Sequence, residues 1–230
     1  MGIVVENVPP GSRVIDSYPF SVGGTSIQAA ALKADAVDGV VGYLGAMNKA
    51  RLEYVLGAGM GFMPVTTAGE YKDGPGDELA QLRTLGILPG TTVWLDLEGL
   101  DAWNTPAPEL IRLINEWGGP IANQGFIAGL YVGAPQPLTG EQLQALRFIT
   151  RYWLGQGRCV SRPDPNEKCK CAVCQSPRDA YPKRGWCMRQ DWHGDAVKKG
   201  IVWRRSGVLV DTNGVQVDHF GCLPTWMKAA

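Results

Sequence analysis

Long apolar runs, net charge and histidine are three things of which this chain has little. No segment approaches the roughly 20 apolar residues that span a bilayer, so the sequence predicts no membrane insertion. Lysine plus arginine equals aspartate plus glutamate at 22 each, and the resulting zero net charge favours neither nucleic acid nor an anionic membrane surface. The two histidines, His193 and His219, have no visible nucleophile–base partner.

The amino-terminal segment also lacks the features of a secretory signal. Residues 1–10 contain no basic start, no long apolar run and no small-residue cleavage site. We therefore expect the protein to be made in the cytoplasm. If it acts outside the cell, another system must carry it there.

What the chain does have is enough apolar sequence for a substantial core. It is 230 residues long and 45% hydrophobic, which fits one large domain over residues 1–230. The 30 glycines and 16 prolines indicate many turns. The eight tryptophans provide flat apolar rings of the kind that stack on sugars, although core packing is their commoner role.

A buried strand that delivers two carboxylates is the most informative segment. Along residues 92–99, Trp94, Asp96 and Glu98 alternate with apolar side chains and so share one face. At this spacing the two carboxylates lie about 6–7 Å apart along the backbone, which is in the range used to cleave glycosidic bonds. The alternative is a helix N-cap next to a solvated strand end.

Apolar runs alternate with helical patterns along most of the chain. Strands are predicted at 14–18, 39–45, 61–67, 92–99, 126–132, 148–154, 187–192 and 215–220, with helices at 26–34, 49–56, 77–85, 108–117 and 140–145. Repeated strand–helix units favour parallel strands, and eight of them in this length match a (β/α)8 TIM-like barrel. A doubly wound open sheet is the runner-up.

Two segments interrupt this alternation. Residues 156–184 form a Cys-rich insertion between the sixth and seventh predicted strands, and residues 198–212 are predicted to form a β-hairpin between the seventh and eighth. Several predicted strands also carry a polar residue near the carboxyl end, where barrel enzymes place their chemistry. These residues are Asp16, Asp96, Glu98, Arg151, Gln190 and Asp218.

The insertion contains most of the cysteines. Four of them, Cys159, Cys169, Cys171 and Cys174, could hold a structural zinc ion tetrahedrally. Disulfides are the competing hypothesis and would indicate an oxidising setting such as an extracellular particle. Cys187 begins the seventh predicted strand and Cys222 closely follows the eighth, its neighbour in a barrel, so the two either pair or remain buried thiols. Four cysteine ligands leave no open position for water, so the sequence does not favour a zinc-dependent hydrolase.

Taken in order, five short motifs resemble the glycoside-hydrolase-like barrel domains related to the family 25 lysozymes, which cut peptidoglycan glycan chains. The resemblance covers about residues 12–155 and 185–221. The motifs are Val14–Tyr18, Trp94–Glu98, Gly129–Val132, Gln190–Trp192 and Val217–Asp218. Family 25 enzymes usually carry an aromatic-His-aromatic pattern at the end of the third strand, where this chain has Phe62–Thr67.

The resemblance implies a peptidoglycan-directed glycoside hydrolase in which Glu98 is the general acid and Asp96 its partner, with no cofactor for catalysis. First-strand and last-strand aspartates line the family's cleft, which implies that Asp16 and Asp218 bind substrate. The further candidates for substrate binding are Trp94, Tyr131, Tyr152, Gln190 and Trp192. The alternative is an inactive barrel that serves as a phage virion structural module or a glycan-binding module. The expected partners are therefore cell-wall glycan and, for the alternative, virion proteins.

Overall fold

Ten strands form the sheet in the computed structural model of this protein, which describes residues 2–16, 25–67, 76–97, 105–133, 138–155, 184–192 and 210–230. In chain order they are β1 (Ile3–Asn7), β2 (Arg13–Asp16), β3 (Gly39–Tyr43), β4 (Gly61–Thr67), β5 (Thr92–Asp96), β6 (Ile127–Val132), β7 (Arg151–Leu154), β8 (Met188–Trp192), β9 (Asp211–Val215) and β10 (Thr225–Ala229).

Eight of these strands close into a mixed β-barrel. From β2 to β8 each strand pairs in parallel with the next one along the chain. Strand β9 then runs in the opposite direction and pairs with both β8 and β2, which closes the barrel. Strands β1 and β10 lie outside the ring, with β1 paired to β10 and β10 touching β4.

Five α-helices connect the early strands within the described part of the chain. They are α1 (Ser26–Ala34), α2 (Lys49–Gly57), α3 (Gly76–Leu85), α4 (Ala107–Asn123) and α5 (Gly140–Gln144). Several begin at side chains that accept a hydrogen bond from the first turn. Asn48 caps α2, and Thr139 with Gln142 forms a capping box on α5. None of the described helices is both long and apolar enough to cross a bilayer.

The prediction of a (β/α)8 TIM-like barrel is therefore wrong. The barrel is mixed rather than all-parallel, and helices fill only the connections from β2 to β7 among the described residues. An antiparallel neighbour such as β9 needs no helical crossover. Its position also differs from the predicted last strand, because β9 covers Asp211–Val215 rather than 215–220. The open-sheet alternative fails because β9 closes the ring.

Side chains alternate between two apolar layers along the barrel strands. Those pointing outward, such as Val40, Phe62 and Leu95, join the core that packs under the helices. Those pointing inward, such as Val41 and Met63, form a second core inside the barrel. Because parallel strands are covered on both faces, their sequences are almost continuously apolar.

A tryptophan closes the end of the barrel at which the parallel strands begin, which we call the floor. Trp226 of β10 enters the interior core and is almost fully buried. It fits because Gly39 and Gly61 have no side chains where the indole lies. A Cβ on Gly61 would be 2.1 Å from the indole ring, and one on Gly39 would be 2.5 Å from it. The floor is thus sealed by packing, so the opposite end is the one available for a site.

Candidate functional site

Polar side chains replace the apolar ones toward the carboxyl ends of the parallel strands, at the end of the barrel that we call the mouth. In barrel enzymes the active site lies at the carboxyl ends of the parallel strands, whereas the opposite end serves stability. The mouth layer consists of Asp16, Tyr43, Asp96, Tyr131, Gln190, Asp211 and Asn213, which come from β2, β3, β5, β6, β8 and β9. Hydrogen bonds join its members into small groups.

Asp96 is the last residue of β5, which ends before the predicted bound of 99, and it lies deep in the mouth, with 3% of its surface exposed. The hydroxyl of Tyr43 donates a hydrogen bond to its Oδ2 atom at 3.0 Å. This bond fixes one carboxylate oxygen without introducing a positive charge. Glu98, the predicted general acid, lies outside the described residues.

Asp16 ends β2 and is also buried. Its Oδ1 atom accepts a hydrogen bond of 2.7 Å from the side-chain amide of Asn213 on β9. The Oδ1 atom of Asn213 in turn accepts from the indole Nε1 of Trp153 at 2.8 Å. Asn213 on the neighbouring strand β9 thus holds Asp16, and Trp153 inside the barrel holds the amide of Asn213.

Gln190 forms a similar bridge on the other side of β9. Its Oε1 atom accepts from the hydroxyl of Tyr131 at 2.8 Å, and its Nε2 atom donates to Oδ2 of Asp211 at 2.8 Å. Tyr131 and Gln190 are both buried, and Asp211 is half-buried at the start of β9. Asp211 stands opposite Asp16 in the antiparallel pairing of β2 and β9. The mouth layer therefore contains a further carboxylate that the sequence analysis did not single out.

Asp218 lies at the floor, away from the mouth layer. Because β9 runs antiparallel, the residues after it emerge at the opposite end from Asp16. Asp218 there caps a turn, accepting hydrogen bonds from the backbone of Phe220 and Cys222 at 2.9 and 2.8 Å. Arg151 also faces the floor and donates to the carbonyl of Leu223. The prediction that these polar residues share one rim with Asp16 is therefore wrong for Asp218 and Arg151.

The aromatic residues predicted to bind substrate occupy several places. Trp94 is fully buried inside the barrel, where its ring meets that of Trp153 edge-on at 5.8 Å between centroids. Tyr131 contacts Trp153 in the same way at 4.5 Å. Tyr152 faces outward instead, and its hydroxyl donates to the carbonyl of Leu143 at 2.7 Å. Burial raises the pKa of Tyr152 to about 12, as expected for a packing residue.

Several residues predicted for the site or for a zinc ion fall outside the described part of the chain. Trp192 is the last residue of β8, but its side chain is outside the description. The predicted zinc ligands Cys159, Cys169, Cys171 and Cys174 fall outside the described residues, as does most of the predicted hairpin. Among the residues that the structure describes, no three His, Cys, Asp or Glu side chains are grouped to hold a metal ion.

Cys187 and Cys222 do not form the disulfide that was one of their two predicted states. Both are free thiols. Cys187 is fully buried before β8, and its Sγ atom donates to the carbonyl of Tyr152 at 3.5 Å. Burial raises the pKa of the Cys187 thiol to about 12, which leaves it neutral and unreactive.

Comparison with solved structures identifies proteins of the same fold. An uncharacterized protein of B. stearothermophilus matches with a TM-score of 0.56 at 13% identity, covering 90% of this chain and 96% of that one. The Tat-secreted protein Rv2525c of Mycobacterium tuberculosis, in complex with L-tartrate, matches with a TM-score of 0.55 at 13% identity, covering 93% of this chain and 98% of that one. No protein-family model and no curated protein matches the chain. At these identities the likeness shows the fold alone, and the resemblance to family 25 lysozymes stays a prediction.

Three members of the site escaped the sequence analysis: Tyr43, Asp211 and Asn213. Tyr43 ends an otherwise apolar strand and therefore looks like a core residue. Asp211 and Asn213 lie in a short polar strand, Asp-Thr-Asn-Gly-Val, that has no apolar alternation. A weak signal was available for Asp211, because it follows the apolar run Gly207–Val210 as Asp96 follows Leu95.

Proposed function

We propose that this protein is a peptidoglycan-directed glycoside hydrolase whose reaction takes place at the mouth of the barrel. The observation that carries the proposal is the buried Asp96, held by Tyr43 at the end of β5. Asp16 and Asp211 add carboxylates to the same layer. Carboxylates fixed by neutral donors suit a ligand rich in hydroxyl groups, because they can accept its hydrogen bonds.

In this proposal Glu98 and Asp96 divide the chemistry. Glu98 donates its proton to the glycosidic oxygen, so that the bond to the anomeric carbon breaks with the electron pair leaving on that oxygen. Asp96 stabilises the positive charge that develops at the sugar carbon. A water molecule then adds to that carbon, supplies the hydroxyl of the new reducing end and returns its other proton to Glu98. The Tyr43 hydroxyl keeps Asp96 oriented, since a carboxylate held before the reaction has less reorganisation to undergo.

The test is release of reducing ends from purified peptidoglycan. Glu98→Gln and Asp96→Asn should each lower the rate by roughly 100-fold or more, because each removes a reacting carboxyl without changing its size. Glu53→Gln is the matched control, as Glu53 is an exposed carboxylate on α2. Undiminished release by Glu98→Gln would show that Glu98 is not the acid.

A glycan-binding module without turnover is the second candidate. The residues at the end of β4 favour this second candidate. Thr66 donates a hydrogen bond from its hydroxyl to Oε1 of Glu78 on α3 at 2.7 Å, and Thr67 is the last residue of the strand. No aromatic-His-aromatic pattern is present at this position. If the wild type releases nothing from several wall types but sediments with them, and Asp96→Asn does not, the binding module is the better description.

A further inference from the structure

Asn213 is a mouth-layer side chain whose amide nitrogen and amide oxygen both have hydrogen-bond partners. It lies on β9 with 2% of its surface exposed. Its Nδ2 atom donates to Oδ1 of Asp16 at 2.7 Å and approaches the carbonyl of Val14 at 3.4 Å. Its Oδ1 atom accepts from Nε1 of Trp153 at 2.8 Å. Both ends of the amide are therefore committed within the protein.

The orientation of this amide is set by its neighbours. An indole Nε1–H can only donate, so the atom of Asn213 that faces Trp153 must be the oxygen. A backbone carbonyl and an ionised carboxylate can only accept, so the atom that faces Val14 and Asp16 must be the nitrogen. Three contacts, two with β2 and one with Trp153 of β7, thus require the same orientation, and the flipped amide would lose all of them.

We propose that Asn213 is the positioning residue of Asp16 and holds that carboxylate in the mouth of the barrel for the bound glycan, with Trp153 locking the amide. The functional part of this inference rests on the proposed function. In this proposal Asn213 acts through Asp16 and not on the ligand, because it is 2% exposed and its amide nitrogen and oxygen are bonded within the protein. An aspartate at position 213 could not replace it, since two carboxylates would then face each other at hydrogen-bond distance.

The first experiment is the crystal structure of Asn213→Leu, which keeps the branching and the heavy-atom count of the side chain and removes its polar atoms. The proposal expects the Asp16 carboxylate to leave its observed position, because its amide donor is gone. An Asp16 side chain that keeps the wild-type rotamer overturns the proposal, whether or not the protein proves to be an enzyme. Should Asn213→Leu not fold, the same question is answered in the wild type by NMR. A scalar coupling across the hydrogen bond from Asn213 Nδ2 to the Asp16 carboxyl carbon is expected, and its absence overturns the proposal.

The second experiment separates positioning from a merely structural role by exchanging the two residues. In the double variant Asp16→Asn with Asn213→Asp, the new asparagine can donate to the new aspartate, which still accepts from Trp153. We expect the melting temperature to recover relative to Asn213→Asp alone, while release of reducing ends stays roughly 100-fold below wild type, since the carboxylate has moved. Recovery of release together with stability would overturn the positioning role. If the wild type releases nothing, the proposed function fails, and the position of Asp16 in the first experiment still decides this inference.

Discussion

Replacing Gly61 by alanine tests how tightly the floor of the barrel is packed. The added Cβ would lie 2.1 Å from Cδ2 and 2.3 Å from Cε3 of Trp226. These are ring atoms of a side chain that is 1% exposed and tied by its Nε1 atom to Glu6 at 3.1 Å. Because the indole cannot turn aside freely, we expect a loss near the upper end of the overpacking range, about 3 kcal/mol.

Thermal unfolding is the assay for this loss. In a chain of 230 residues each kcal/mol lowers the melting temperature by about 2–4 °C, so Gly61→Ala should melt about 6–12 °C below wild type. The matched control is Gly57→Ala at the end of α2, where the new Cβ would have no atom within 4 Å. That variant should equal the wild type or exceed it by up to about 1 kcal/mol.

A double-mutant cycle assigns the loss to the indole. Trp226→Ala is costly by itself, since it empties the floor, but it removes the atoms that Gly61→Ala meets. In the Trp226→Ala background, Gly61→Ala should therefore cost little, which gives a large coupling free energy in urea unfolding. Equal losses in both backgrounds, or a Gly61→Ala protein that melts with the wild type, would refute the reasoning.

Two further predictions concern the site and a buried thiol. Tyr43→Phe removes the hydrogen bond to the buried Asp96 and should lower kcat/KM for peptidoglycan cleavage by about tenfold and the stability by about 1–3 kcal/mol; an unaltered rate would show that this bond does not orient Asp96. Cys187 should resist iodoacetamide at about pH 8 while Cys222 reacts, as mapped by peptide mass spectrometry, because burial raises the Cys187 pKa from 9.0 to about 12. The thiol ionises at a lower pH in the unfolded chain than in the folded protein, so Cys187 contributes stability below about pH 9 that is lost as the pH rises toward 12. Cys187→Ala should therefore reduce the loss of stability at alkaline pH.

The elements of the first half of the barrel could be predicted because their apolar runs follow the periods of strands and helices. The strand at 61–67 and the helix at 26–34 match β4 and α1 residue for residue. Strand β9 could not be found in this way. It is short, contains Gly214 and is polar, since its inward side chains at one end are residues of the candidate site. Its antiparallel direction relative to β2 has no signature in the local sequence.

The residues of the candidate site also differ in whether the sequence could predict them. Asp16 and Asp96 were predicted because a carboxylate at the end of an apolar strand stands out in the sequence. Their partners were not, since Tyr43 is 53 residues from Asp96 and Asn213 is 197 residues from Asp16. Contacts of that separation follow from the closure of the barrel. The floor position of Asp218 likewise depends on the direction of β9, which the sequence does not reveal.

Trp226 also limits when this protein can fold during synthesis. Chains begin to fold from the amino terminus as they emerge from the ribosome. All the parallel strands from β2 to β8 precede Trp226 by more than 30 residues, so they can pair while the barrel is still open at its base. Until β10 arrives, the gap between Gly39 and Gly61 leaves the inner apolar layer accessible to water. The nascent barrel is therefore most vulnerable to aggregation after β8 has been made and before β10 is in place.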